Sequence, residues 1–187
     1  MAEHERAGAN GLRLHLLVLR CQAGDERAFA RLLDEFGTRT LAYLRGLVGD
    51  DAEDVQQEVW LAVYRGLHTL ADPRAFRTWL FRTTRHRALD FLRARRRERE
   101  LVEDAALEAD DATTGDGDDA LAPLDASALA PALAELPPAQ REVLLLRYQH
   151  DMSYAELALV TGCPVGTVRS RLHHAKRRLQ ELLARRP

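Results

Sequence analysis

Cysteine is almost absent from this chain. Cys21 and Cys163 are the only two, they lie far apart, and they match no metal-binding spacing. A reduced cytosolic chain is the simple reading, with a redox role for either thiol the lesser alternative. Long apolar runs are missing too: nothing approaches the roughly 18 residues that a membrane span needs. The stretch 12–19 is apolar but short, and Arg13 and His15 interrupt it, so it is placed on a helix of a cytoplasmic protein. The opening MAEHERAGAN lacks signal-peptide character. Aromatic residues make up only 6%. No nucleophile stands beside a base, and there is no phosphate-binding glycine loop and no closed metal set, which argues against an enzyme built on Glu53, Asp54, Glu58 and His86. What remains is 187 residues that are 46% hydrophobic and 30% charged. That is enough apolar material for one or two real cores, and the abundance of alanine, leucine and arginine leans towards helix.

The net charge of −2 hides a strong separation. Residues 74–97 hold nine arginines against the single acid Asp90, for +8. Residues 98–135 reverse the sign, with twelve acids against Arg99, for −11. Residues 141–187 hold nine bases and four acids, for +5. The first basic block is long, one-sided and ends in RARRR, which favours a polyanion-binding face over a merely solvated one. The acidic middle contains TTGDGDDA, has no apolar periodicity and reads as a flexible linker. The expected architecture is all-α: two small helical domains, 1–97 and 129–187, joined by an acidic linker over 98–128.

In the first domain, residues 24–48 predict a helix from Phe29, Leu32, Leu33, Phe36, Leu41, Leu44 and Val48, with a bend or an interruption expected at Gly37. Asp50 is read as the N-cap of the next helix, with Glu53 completing a capping box. In DAEDVQQEVWLAVYRGL, Val55, Val59 and Val63 form a stripe that Trp60, Ala62 and Leu67 widen. The opposite face carries Asp51, Asp54, Gln57, Glu58 and Arg65. Taken on its residues alone, that face reads first as solvated and second as a dock for a basic partner. Asp72 and Pro73 then start an arginine-rich helix. Basic residues interleaved with aromatics suit single-stranded nucleic acid, since arginine neutralises phosphate and aromatic faces accept unstacked bases. Phe76 and Leu80 read as core; Trp79 is open between core and base stacking.

In the second domain, Pro137 and Pro138 mark a helix start, and Val143, Leu144 and Leu146 are its apolar residues. Ser153 and Glu156 have capping-box spacing. Ala158, Gly162 and Val168 then follow the helix-turn-helix pattern: a small crossing residue, a turn glycine and an inward apolar residue. Val168, Leu172, Ala175, Leu179 and Leu182 give the last helix one buried stripe. Its remaining surface is polar or basic, which favours DNA binding over a purely structural bundle. His173 and His174 lack a third ligand at a useful spacing, so a metal site is disfavoured.

Four ordered segments, DAEDVQQEVW, TWLFRTTRHRALDFLRARRR, LPPAQREVLLLRY and SYAELALVTGCPVGTVRSRLHHAKRRL, resemble the extracytoplasmic-function group of the sigma-70 family. The resemblance implies sigma region 2 in the first domain and region 4 in the second, a non-enzymatic protein without cofactors, and core RNA polymerase and promoter DNA as partners. It implies that Asp54, Gln57 and Glu58 dock on the β′ clamp of polymerase, with further contacts to the β subunit. It assigns Trp79, Arg82, Arg85, His86, Arg87 and Asp90 to the −10 element, and Thr167, Arg169, Ser170, Arg171, His173 and His174 to the −35 element. Many relatives are held inactive by an anti-sigma protein. His86 stands where asparagine is frequent, and His174 where arginine is common, which puts the fine readout at both in question. The rival is a stand-alone helix-turn-helix regulator; no coiled-coil seam supports it.

Overall fold

The structure is a computed structural model that describes residues 2–100 and 126–185. The expected acidic linker lies, over 101–125, outside the described residues. Helix α1 spans Ala2–Gln22, α2 Glu26–Val48, α3 Ala52–Gly66 and α4 Phe76–Glu100. Then come α5 (Ala126–Ala134), α6 (Pro138–Leu144), α7 (Tyr154–Thr161) and α8 (Val165–Ala184). No strand occurs among the described residues. The chain divides into two units, Met1–Arg93 and Ala94–Pro187.

The first unit is built on α2. Its residues Ala28, Leu32, Phe36, Leu44 and Val48 recur every fourth or eighth position and are buried. They meet Val55, Val59, Trp60 and Val63 of α3, and Phe76 and Leu80 of α4, in one core. Asp25 starts α2 by accepting from the Ala28 N–H at 3.0 Å, and Arg20 donates to the same carboxylate from Nε and Nη2. The Ala28 N–H first, and then Arg20, hold the Asp25 carboxyl below its usual range. Beside it, burial first and the Asp25 charge second push the Cys21 thiol up to about 11. That leaves little thiolate at neutral pH, contrary to what a redox cysteine needs.

Two local features of this unit differ from the simplest reading: α2 is not interrupted and α3 has another start. Helix α2 runs unbroken through Gly37. Gln56 of α3 donates to the Gly37 carbonyl at 2.6 Å and to the Thr40 hydroxyl at 3.2 Å, so this amide clasps α2 from the side. Nor does Asp50 cap α3. A 3₁₀ turn over Gly49–Asp51 leads into the helix, and the residue before Ala52 is Asp51, without a side-chain cap bond. The turn delivers the Ala52 N–H to the Gly49 carbonyl, so backbone replaces the cap. Glu53 pairs instead with Arg45 at 3.1 Å. Asp72 behaves as expected: it accepts from the Arg74 N–H at 2.9 Å and starts the short Pro73–Ala75 turn that feeds α4.

In the second unit, α5, α6 and α7 all pack on α8. Val143, Leu144, Leu146, Leu157 and Val160 are buried there, with Val168, Leu172, Ala175 and Leu179 of α8. Arg141 donates to the carbonyls of Leu133, Ala134 and Leu136 at 2.8, 2.7 and 3.1 Å. The first two acceptors lie in the last turn of α5 and the third just beyond it, and the Leu133 carbonyl also accepts from the Leu136 N–H at 3.2 Å. Helix α6 widens into a π-helical turn over Leu145–Gln149. Ser153 and Glu156 form the full capping box of α7. Gly162 ends that helix at φ 71°, a conformation that a side chain would resist.

Candidate nucleic-acid and polymerase interfaces

Helix α8 is held by its buried stripe, and Arg169, Arg177 and Arg178 are its exposed basic residues. Arg169 is exposed, and its guanidinium lies 5.7 Å from the centre of the Tyr154 ring. Arg147 lies over the same ring at 5.5 Å and donates to the Met152 carbonyl at 3.0 Å. Two residues on, the half-buried Arg171 turns back towards Cys163, with Nη1 3.5 Å from the sulfur. Thr167 is half-buried. Ser170 is buried, and its hydroxyl donates to the Thr167 carbonyl at 3.0 Å, so it engages its own helix. His173 and His174 are half-buried, with ring centroids 5.6 Å apart at 73°. Lys176 is buried with its ammonium 5.6 Å from the Tyr148 ring, a placement that its basic character did not suggest.

On α4, Phe76 and Leu80 are fully buried, as their spacing predicts. Trp79 is half-buried and packs on the core, its ring 6.2 Å from that of Phe76. Gly66 makes room for it: a β-carbon there would stand 3.2 Å from the indole. Trp79, Arg82, His86 and Asp90 follow at spacings of three and four and share one face of the helix. Arg82, His86 and Arg87 are exposed and Arg85 is half-buried. Asp90, also exposed, pairs with Arg93 at 3.0 Å.

On α3, Asp54, Gln57 and Glu58 are exposed on one face. Leu61, 54% exposed, extends that face and was not singled out from the sequence. Its signal is that it falls off the Val55, Val59 and Val63 stripe. Glu58, Leu61, Ala62 and Arg65 line a shallow cavity with Gly66 and with Arg87 of α4. The acidic face and the basic helix are therefore neighbours within the first unit. Among the described residues there is no cluster of histidine, cysteine or acidic side chains able to hold a metal. Nor is any helix there long and apolar enough to cross a membrane.

Comparison with known proteins agrees with this arrangement. Residues 32–98 match the model for sigma-70 region 2, and residues 127–179 match sigma-70 region 4. The RNA polymerase sigma-H factor of Pseudomonas aeruginosa is 34% identical, over 89% of this chain and 92% of that protein. The sigma-E factor of Escherichia coli K12 is 31% identical, over 86% of this chain and 89% of its own length. Among solved structures, CnrH bound to the cytosolic domain of CnrY is 27% identical, with TM-score 0.67, covering 93% of this chain and 99% of that one. RpoE of Bartonella quintana bound to the anti-sigma factor NepR is 27% identical, with TM-score 0.69, covering 85% and 98%. The chain belongs to the sigma-70 family of RNA polymerase sigma factors, in its extracytoplasmic-function group. It is a factor for promoter-specific initiation of transcription by RNA polymerase.

Proposed function

We propose a division of labour among three helices. The α3 face of Asp54, Gln57 and Glu58, extended by Leu61, docks on the polymerase β′ clamp. The α4 residues Trp79, Arg82, His86 and Asp90, flanked by Arg85 and Arg87, hold the −10 element and capture bases as the strands part. Helix α8 enters the major groove at −35, with Arg169 and Arg171 towards base edges and Thr167, His173 and His174 beside them. Ser170 acts from within the helix. The functional blocks are 1–97 and 129–187, joined by the acidic 98–128. The protein acts in the cytoplasm and carries out no covalent step itself; polymerase supplies the catalysis. Opening is driven by tighter binding to separated strand than to duplex, a shift of population by differential affinity. The observation that carries this reading is the basic face of α8, set on a frame whose opposite face is a continuous buried stripe.

The resemblance to RpoE bound by the anti-sigma factor NepR supports a second partner here as well. An anti-sigma protein covering the exposed α3 face would compete directly with polymerase.

Run-off transcription from genomic promoter fragments, with core polymerase in the presence and absence of this chain, tests the reading. Transcripts that start at defined sites only when the chain is present are expected. Polymerase-independent binding to a palindromic duplex would point instead to a stand-alone regulator. Glu58→Lys reverses charge on an exposed position and is expected to impair holoenzyme assembly while leaving the helical circular-dichroism spectrum intact. Normal assembly would remove Glu58 from the dock.

A further inference from the structure

The role of Cys163 follows from its neighbours. Its sulfur lies 3.1 Å from the Thr161 hydroxyl and 3.5 Å from Nη1 of Arg171. Thr161 is buried, and its hydroxyl donates to the Leu157 carbonyl of α7 at 2.7 Å. A hydroxyl carries one hydrogen, and that bond uses it. The thiol must therefore be the donor in the contact between Cys163 and Thr161, which leaves sulfur lone pairs to face Arg171. Donation then runs in one direction: Arg171 N–H to sulfur, S–H to the threonine oxygen, threonine O–H to the Leu157 carbonyl. Chains of this kind polarise one another.

We propose that Thr161 and Cys163 form a positioning relay that presets Arg171 for reading the −35 element. The proposal rests on the assignment of Arg171 as a base-reading residue. An arginine loses rotamer freedom when it docks on a base, and a side chain already held loses less. The contact to sulfur uses only one of the five guanidinium N–H groups, and a bidentate pair with guanine uses two. The relay starts in α7 and ends on α8, so it ties the reading side chain to the supporting helix across the Gly162 turn. Helical side chains lean towards the N-terminus of their helix, which is why Arg171 reaches back to Cys163.

Wild-type and variant chains, each assembled with core polymerase, are to select from a randomised duplex library that is then sequenced. Arg171→Ala is expected to erase the preference at one base pair of the −35 motif. Cys163→Ala is expected to lower the preference at that same pair by about fivefold and to leave the other pairs unchanged. Cys163→Ser, which keeps a donor and an acceptor, restores most of it. In an Arg171→Ala background, Cys163→Ala adds no further loss. An unchanged motif in Arg171→Ala overturns the base contact and the relay with it. If Arg171→Ala erases the preference while Cys163→Ala leaves it intact, or weakens all pairs equally, the relay alone is overturned.

Discussion

Two arginines of α8 and two of α4 are presented in different ways. On α8, Arg169 lies over Tyr154 and Arg171 against Cys163, so both are oriented by residues of the preceding helix and turn. On α4, Arg82 and Arg87 stand exposed along a helix whose buried face is fixed by Phe76 and Leu80. The difference matches the two tasks proposed. Reading a duplex edge demands a side chain held to within a fraction of an ångström. Holding a flexible single strand demands charge and a flat surface nearby, and tolerates movement. Rigid presentation suits sequence discrimination; loose presentation suits capture.

The contrast can be broken at its foundation by Phe76→Ala. Phe76 is fully buried and meets Phe36 edge to face at 5.5 Å. The variant is expected to lose about 3–5 kcal/mol of first-unit stability, read in urea melts of the full chain. Promoter opening should fall with it while −35 selection is retained; loss of both together would mean that the two units do not act separately. Next in size, Arg171→Ala is expected to cost about 1–3 kcal/mol of discrimination at one −35 position. Arg82→Ala should instead weaken binding uniformly across sequences and flatten its salt dependence, as a phosphate contact does. Sequence-specific loss at Arg82 would erase the contrast.

Ser153→Ala removes the capping box of α7 and is expected to cost about 1 kcal/mol of second-unit stability. The frame of α8 depends on α7, so −35 selection should blur slightly without moving to a new motif. The smallest effect concerns acid. The Asp25 carboxyl titrates below its ordinary value of 3.8, so the stability it adds is complete above that value and is lost as pH falls through the lowered one. Asp25→Asn should therefore be less stable than wild type at neutral pH, with the gap closing in acid melts. A pH-independent gap would make the cap a matter of geometry alone.

Much of this was legible from residue spacing. Most of the buried stripes of α2, α3 and α8, the capping box at Ser153 and Glu156, and the turn at Gly162 each follow from one local rule, although Leu33 of the α2 pattern is exposed and Leu182 of the α8 stripe is only half-buried. Asp50 misled because a side-chain cap and a 3₁₀ entry have the same sequence signature; which one forms depends on how the preceding helix ends. Gly37 does not interrupt α2, and the Gln56 amide that grips its carbonyl comes from another helix, which no local pattern announces. Ser170 lies opposite the apolar stripe on a helical wheel and Lys176 is a basic residue at its edge, and both are buried all the same. The hold on Arg171 depends on a rotamer and on a neighbour eight residues away, which no periodicity encodes. In the same way, Asp54, Gln57 and Glu58 could be placed on one face from the sequence, whereas the nearness of Glu58 to Arg87 needed the fold.

Arg141 grips three carbonyls at and just beyond the end of α5. A guanidinium is planar and forked, so one side chain holds several carbonyls at set angles. Because α5 and α6 both pack on α8, this clamp locks together two of the three helices that frame the proposed −35 helix.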